Sequence, residues 1–377
     1  MQILFFISFL LIYLGANAYV CLRIVQLLPA GSILLRIIVI SVIVICTLGM
    51  FLFFFLGEKI PIPLASFFYT LGVSWLIAFL YLLIAFLLID IVKLINLLFH
   101  FIDKETVYRL THANWKTLLV VLGSVTLLLI YANYNYHNTK RVHLTVETEK
   151  WNETDRPLRI VAISDAHLGY TINTRELRKW VELINAENPD IVLIAGDFID
   201  NSMRPINHFE LDAELRKINA PIGVFACVGN HEYFADLTKK ITFFKQSDIT
   251  LLRDSVATFD HFQIIGRDDY SQKHRKSIEQ LTENLDTSLF TILLDHQPNN
   301  LDDAIKGNVD FQFSGHTHRG QVWPVTMIVD RMFELSHGYL KRDGTHFYVS
   351  SGLGIWGGKF RLGSQSEYVV IDIKARR

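Results

Sequence analysis

The sequence predicts an α/β domain with a partly parallel sheet, preceded by an all-α segment of four transmembrane helices. Three observations carry this prediction. Up to about Tyr134 the chain is dominated by Leu, Ile, Phe and Val, whereas beyond Lys140 charges occur at ordinary globular density. From Leu158 onward, short apolar runs alternate with amphipathic stretches. Five of those runs end in Asp, Asn or His.

A membrane helix needs about 20 largely apolar residues to cross about 30 Å of hydrocarbon. Segments 3–27, 33–56, 64–99 and 118–134 qualify, and their length and scarcity of charge argue against buried helices of a soluble core. The third is longer than one span requires, and Asp90 and Lys93, at helical spacing, mark its continuation into the interface. Ala16-Asn17-Ala18 resembles a signal cleavage site, but no Lys or Arg precedes it and apolar sequence continues through Leu22. The first helix is therefore read as retained. Arg23, Arg36, Lys104, Arg109 and Lys116 lie in or flank the first and third loops, against Lys59 in the middle one. The positive-inside rule then puts the large domain outside the cytoplasm, with Lys140 and Arg141 counting the other way.

The expected organisation is a transmembrane segment at 1–134, a linker at 135–157, which could also serve as an incoming strand, and a catalytic domain at 158–377. Within the domain, 158–163, 191–195 and 222–228 read as strands, alternating with helices at 174–186, 208–218 and 236–246. The second half is richer in strands, at 262–265, 289–294, 309–313, 346–350 and 368–373, with a helix at 276–285. Fewer helices there suggest a second sheet facing the first. A net charge of −1 gives no case for capture of nucleic acid. Cys21, Cys46 and Cys227 have no metal-ligand spacing and suggest no disulfide framework.

The polar strand ends are Ser164-Asp165-Ala166-His167, Gly196-Asp197, Gly229-Asn230-His231-Glu232, Asp295-His296 and Gly315-His316-Thr317-His318. Singly, each reads as a turn, a cap or a hydrogen-bonded core histidine. Gly-His-Thr-His is more specific, because alternate residues of an extended segment hold two imidazoles near one site. Together, carboxylate, amide oxygen and imidazole at five strand ends make metal binding the natural outcome.

This arrangement resembles the calcineurin-like metallophosphoesterases, whose signature is Asp-x-His, Gly-Asp, Gly-Asn-His-Asp/Glu, a lone His and Gly-His-x-His. All five occur in order between Asp165 and His318, and the resemblance covers 158 to the carboxyl end. It implies a four-layer αββα sandwich of two mixed sheets between helices. It further implies that Asp165, His167 and His318 hold one metal, that Asn230, His296 and His316 hold another, and that Asp197 bridges both. His231 would then be a proton donor or electrostatic stabiliser beside the scissile ester, and Glu232 a supporting or capping carboxylate. Two divalent ions, manganese first and iron or zinc next, would activate a bridging hydroxide for attack on a phosphomonoester, phosphodiester or pyrophosphate.

Gly266-Arg267-Asp268-Asp269 resembles an element of membrane-associated members, and reads equally as a turn. Arg319 replaces a Gly usual after the last motif, where a cation could meet substrate phosphate, and reads equally as a solvated surface side chain. Trp356, in a Gly-rich apolar loop, could line a substrate pocket, touch the bilayer or pack between sheets. The partners expected are the lipid bilayer and a phosphate-containing substrate, with a lipid-linked one made attractive by the membrane segment. The resemblance extends loosely to enzymes that cleave UDP-diacylglucosamine, a cytoplasmic substrate that the loop charges disfavour. A membrane sensor or scaffold that keeps the fold without catalysis is the alternative. Such a protein needs neither a full ligand set nor His231.

Overall fold

The computed structural model describes every residue except Met1, Ala30, Ala235 and Arg377. Contacts divide the chain into two compact units, Met1–Asn133 and Tyr134–Arg377.

The first unit is helical, with α1 (Gln2–Leu27), α2 (Ile33–Leu56), α3 (Ile62–Phe99), α4 (Lys104–Thr111) and α5 (Trp115–His137), the last running into the second unit. All but α4 contain stretches long and apolar enough to cross a membrane. At 38 residues α3 is about 57 Å long, well beyond one hydrocarbon thickness. Polar side chains stitch the bundle where apolar packing alone would leave register free. Asn17 Oδ1 accepts from Thr47 Oγ1 (2.9 Å) and Trp75 Nε1 (3.0 Å), joining the first three helices. Asp90 takes Arg23 Nη2 at 2.8 Å and Tyr19 Oη at 2.7 Å. The short α4 was not anticipated. It is capped by Asp103, whose side chain accepts from Thr106 N.

The second unit begins with β1 (Lys140–Thr148), β2 (Leu158–Ile163), α6 (Thr174–Ala186) and β3 (Ile191–Ala195). Next come α7 (Met203–His208), α8 (Leu211–Leu215), β4 (Gly223–Cys227), α9 (Leu237–Gln246) and β5 (Ile249–Leu251). The second half holds β6 (Ser255–Thr258), β7 (Phe262–Gly266), α10 (Ile278–Thr282), β8 (Phe290–Leu294), α11 (Asp302–Lys306) and β9 (Phe311–Ser314). The last elements are α12 (Val325–Met332), β10 (Gly338–Arg342), β11 (Thr345–Val349) and β12 (Glu367–Ala375).

The strands form two mixed six-stranded sheets, ordered β1-β12-β2-β3-β4-β5 and β10-β11-β9-β8-β7-β6. Strand periodicity explains how they stack. In β2, Ile160 and Ala162 face one core while Val161 and Ile163 face another. The first core lies between the sheets, where Leu193 and Cys227 meet Phe290, Phe311 and Phe313. The second lies beneath α6 to α9, through Trp180, Ile206, Leu215 and Phe244. A third, smaller core joins Ile265 and Leu293 to α10 and α11 through Leu281 and Ala304. The layers are helix, sheet, sheet, helix, the αββα sandwich.

Of the two readings of 135–157, a linker or an incoming strand, the strand is present. Residues 140–148 form β1, parallel to β12 over nine residue pairs. Val142, Leu144 and Val146 turn inward at period two, while the polar residues between them face water, the pattern of an edge strand. The single helix expected at 208–218 is two, because Glu210 takes a left-handed conformation with φ 48° between α7 and α8.

Candidate metal centre

Parallel pairing directs the carboxyl ends of β2, β3 and β4 in one sheet, and of β8 and β9 in the other, toward one pocket. Beyond the strands, pairing continues through the loops. Asp165 N donates to Gly196 O (3.1 Å), His167 N to Asp197 O (3.0 Å) and Gly315 N to His296 O (2.9 Å). Asp165, His167, Asp197, His316 and His318 all have positive φ, from 47° to 69°. For non-Gly residues that conformation costs of order 1–3 kcal/mol each, and it is held by these surrounding bonds. Two glycines permit the close packing. A Cβ at Gly229 would sit 2.3 Å from Asp197 Oδ1, and one at Gly315 would sit 2.2 Å from Asp165 Oδ2.

Two groups of side chains converge. Asp165, His167 and His318 form the first, with the two Nε2 atoms 3.0 Å apart and Asp165 Oδ1 3.6 Å from His318 Nε2. Asp197, His296 and His316 form the second, with His296 Nε2 3.1 Å from Asp197 Oδ2. The same Asp197 oxygen is 3.9 Å from His167 Nε2, so it lies against both groups. His296 Nδ1 donates to Ala195 O at 2.8 Å, which turns Nε2 toward Asp197 Oδ2.

The donor set fits divalent cations. Asp165 and Asp197 are buried, and among the described residues no Lys or Arg pairs with either. Asn230 Oδ1 is buried without a hydrogen-bond partner. Buried carboxylates and an orphaned acceptor beside imidazoles are what a metal site presents when only its protein atoms are counted. The protonation balance is correspondingly uneven. Burial pushes Asp165 up, with Asp197 adding to the rise. Burial acts on Asp197 the same way, yet the neighbouring His296 and His167 carry it well below the usual carboxylate range. Burial lowers His318, and His167 beside it lowers it further. His316 falls to about 4, through burial and then His296.

A third group, His167, Asp200 and His231, lies alongside. Here His231 Nδ1 and Asp200 Oδ1 are 2.8 Å apart, already a hydrogen-bonded pair. His231 N donates to Asp197 Oδ1 at 2.8 Å, and His231 Nε2 reaches to 4.0 Å from Asp197 Oδ2. Glu232, fully buried, accepts from Gly229 N (2.7 Å), Asp197 N (2.9 Å) and Ile199 N (2.9 Å), clamping the ends of β3 and β4 together.

Sequence reasoning missed three residues. Asp200 sits three positions after Asp197 without a preceding Gly, and that spacing was its only signal. Lys240, fully buried on α9, donates from Nζ to Asp200 O and His231 O, both at 2.6 Å. Arg361, fully buried, donates to Ser351 O (2.7 Å), Gly354 O (2.7 Å) and His318 O (3.4 Å), and burial depresses it to about 10.

Of the two residues expected to meet substrate, Trp356 lies beside His231. Its ring centroid is 6.4 Å from that of His231, and Phe234 flanks the same imidazole at 4.8 Å. Arg319, the residue after His318, has its Nε 4.0 Å from Asp330 Oδ1. The Gly-Arg-Asp-Asp element is a structural network. Arg267 pairs with Asp295 at 3.0 Å, Asp268 with Arg253 at 2.7 Å, and Asp269 accepts from Gln297 Nε2 at 2.9 Å.

The sequence profile described as calcineurin-like phosphoesterase matches residues 158–320. An uncharacterized metallophosphoesterase of Campylobacter jejuni is 30% identical over 294 residues, 76% of this chain and 77% of that one. One from Aquifex aeolicus is 32% identical over 240 residues, 62% of this chain and 90% of that one. A transmembrane protein with metallophosphoesterase domain from Danio rerio is 31% identical over 253 residues, 62% of this chain and 57% of that one.

Proposed function

Because this chain belongs to the calcineurin-like metallophosphoesterase family, we propose that it is a membrane-bound, metal-dependent hydrolase of phosphate esters or anhydrides. The observation that carries the proposal is the position of Asp197 Oδ2 against both buried groups. In this reading Asp165, His167 and His318 hold one divalent ion, Asn230, His296 and His316 hold another, and Asp197 serves both. Bound there, two such ions would offset phosphate charge and make a water acidic enough to act as a nucleophile near neutral pH. Carboxylate and imidazole donors suit manganese, iron or zinc, with manganese the first to test.

The chain's own residues supply orientation and a proton. Asp200 can only accept, so the His231 Nδ1–H donates to it and the ring is fixed with Nε2 toward the pocket. Burial raises Asp200, but its contacts with His167 and His231 outweigh this and hold it far below the usual carboxylate range. A charged Asp200 stabilises the imidazolium, whose Nε2–H can protonate the departing oxygen. Help of this kind is worth about 10²–10⁴-fold. Lys240 fixes the carbonyls on both sides of the pair. Trp356 and Phe234 would line the mouth, where an aromatic wall accommodates the organic part of an ester.

The loop charges favour a catalytic domain outside the cytoplasm, and with it a lipid phosphate or a cell-envelope phosphodiester as substrate. A non-catalytic sensor would leave the Asp200–His231 pair without a task. The test is the purified full chain with Mn²⁺ and bis-p-nitrophenyl phosphate, with bound metal measured in parallel. Turnover that rises with metal occupancy supports the reading. Full occupancy without turnover on this ester or on phospholipids would sink it.

A further inference from the structure

Helix α12 is amphipathic in the wrong sense for a soluble protein. At 100° per residue, Val325, Ile328, Val329 and Met332 share one stripe, the side an isolated domain should bury. Here Val325 is 36%, Ile328 56% and Met332 70% exposed, while the buried position is polar Thr326. Trp323 just before the helix and Met327 on it are each 45% exposed. Val325, Ile328 and Met332 thus form one exposed apolar row beside the half-buried Val329, and such a row marks an interaction surface.

The helix is pinned to the candidate metal centre at both ends. A Cβ at Gly320, two residues past His318, would lie 2.7 Å from Thr326 N. Beyond the far end, Ser336 O accepts from Thr317 Oγ1 at 2.6 Å, and the rings of Phe333 and His316 are 6.2 Å apart. Gln321 Nε2 donates to Gly358 O at 3.2 Å, so the patch borders the loop that carries Trp356.

Two candidates could cover this face, a second copy or a bilayer. A standard protein interface takes about 20–30 residues a side, and α12 offers eight. A bilayer needs less. Shallow burial of a few large apolar side chains, to about 5–10 Å, is the interfacial mode of binding. It is strengthened when the partner is already tethered. Only Asn138 and Thr139 separate α5 from β1, so the chain itself supplies that tether.

We propose that the outward face of α12 rests in the headgroup region of the bilayer and holds the His316-Thr317-His318 loop at the membrane surface. Of the charges beside the face, Asp330 stands 4.0 Å from Arg319 and Glu334 pairs with Arg342. The contact is therefore apolar in origin and does not require anionic lipid. Combined with the hydrolase reading, on which this last step alone rests, it favours phosphate esters presented by the bilayer.

The test uses the full chain, one copy per nanodisc of phosphatidylcholine, with Cys21, Cys46 and Cys227 replaced by Ala. A bimane label on Met332→Cys is compared with one on Lys273→Cys, using lipid-borne doxyl quenchers. Several-fold stronger quenching at 332, abolished by adding Val325→Glu and Ile328→Glu while metal content is unchanged, is the result expected. Equal quenching at 332 and 273 overturns the proposal. So does quenching at 332 that survives the two Glu substitutions. Turnover plays no part in this readout, so a failure of the hydrolase reading and a failure of the docking are seen separately.

Discussion

Asp200 Oδ1 stands 2.8 Å from His231 Nδ1, and in the proposed reading this pairing keeps His231 out of the ligand set for a task of its own. A histidine whose Nδ1 proton is committed to a buried carboxylate presents Nε2 alone to the pocket. That nitrogen is as close as 4.0 Å to Asp197 Oδ2. It can meet a leaving group without giving up its partner.

Asp200→Asn keeps the shape of the pair and removes the charge that favours the imidazolium. Turnover should fall about 10²–10⁴-fold, with metal content unchanged. His231→Ala should lose the same factor, most strongly for esters with poor leaving groups. A loss that is uniform across leaving groups, from p-nitrophenol to an alkyl alcohol, would argue against proton donation.

Glu232→Ala leaves three buried N–H groups, on Gly229, Asp197 and Ile199, without an acceptor. Hydrogen bonds to a charged group are worth about 1.5–3 kcal/mol each, and unpaired buried donors add to the cost. Loss of at least about 3 kcal/mol of stability is expected by thermal or denaturant melting, with Glu232→Gln intermediate. A melting temperature equal to the parent's would contradict the clamp.

Gly229→Ala tests packing at the site with one methyl group. A Cβ there falls 2.3 Å from Asp197 Oδ1 and 2.6 Å from Asp197 N, so the carboxylate has to move. Metal affinity should drop at least about tenfold by titration, since misplacing a ligand costs what losing its supporting shell does. The domain should stay folded by circular dichroism.

Lys240→Met removes an ammonium that burial has pushed down from its ordinary range. The substitution retains the apolar stem and frees the carbonyls of Asp200 and His231. A stability loss of about 1–3 kcal/mol and a lower kcat at unchanged metal content are expected. Calorimetry and metal analysis on one preparation check both.

The converging residues were legible because each stands where an apolar run stops, a place that sequence marks clearly. Asp165, His167, Asp197, His296, His316 and His318 are grouped by the fold as the strand ends suggested. What holds them was not legible. Lys240 lies in a helix whose charges look solvated, and nothing local says that its ammonium is fully buried against two carbonyls. Arg361 follows a Gly-rich loop and reads as a surface cation, yet it is enclosed by carbonyls of that loop. Strand β1 was legible only as one of two readings of 135–157, because an edge strand with one wet face carries half the apolar signal of a central one. The outward stripe of α12 could not be foreseen, since periodicity gives a helix's apolar face and not the direction in which it points.

The central claim is that two divalent ions share Asp197. Metal stoichiometry of the purified full chain, by inductively coupled plasma mass spectrometry after equilibration with Mn²⁺, tests it most directly when set beside Asp197→Asn. The account predicts about two ions per parent chain and a loss of most of both in the variant, because the shared carboxylate serves each site. A single ion in the parent, or undiminished occupancy in Asp197→Asn, would contradict it.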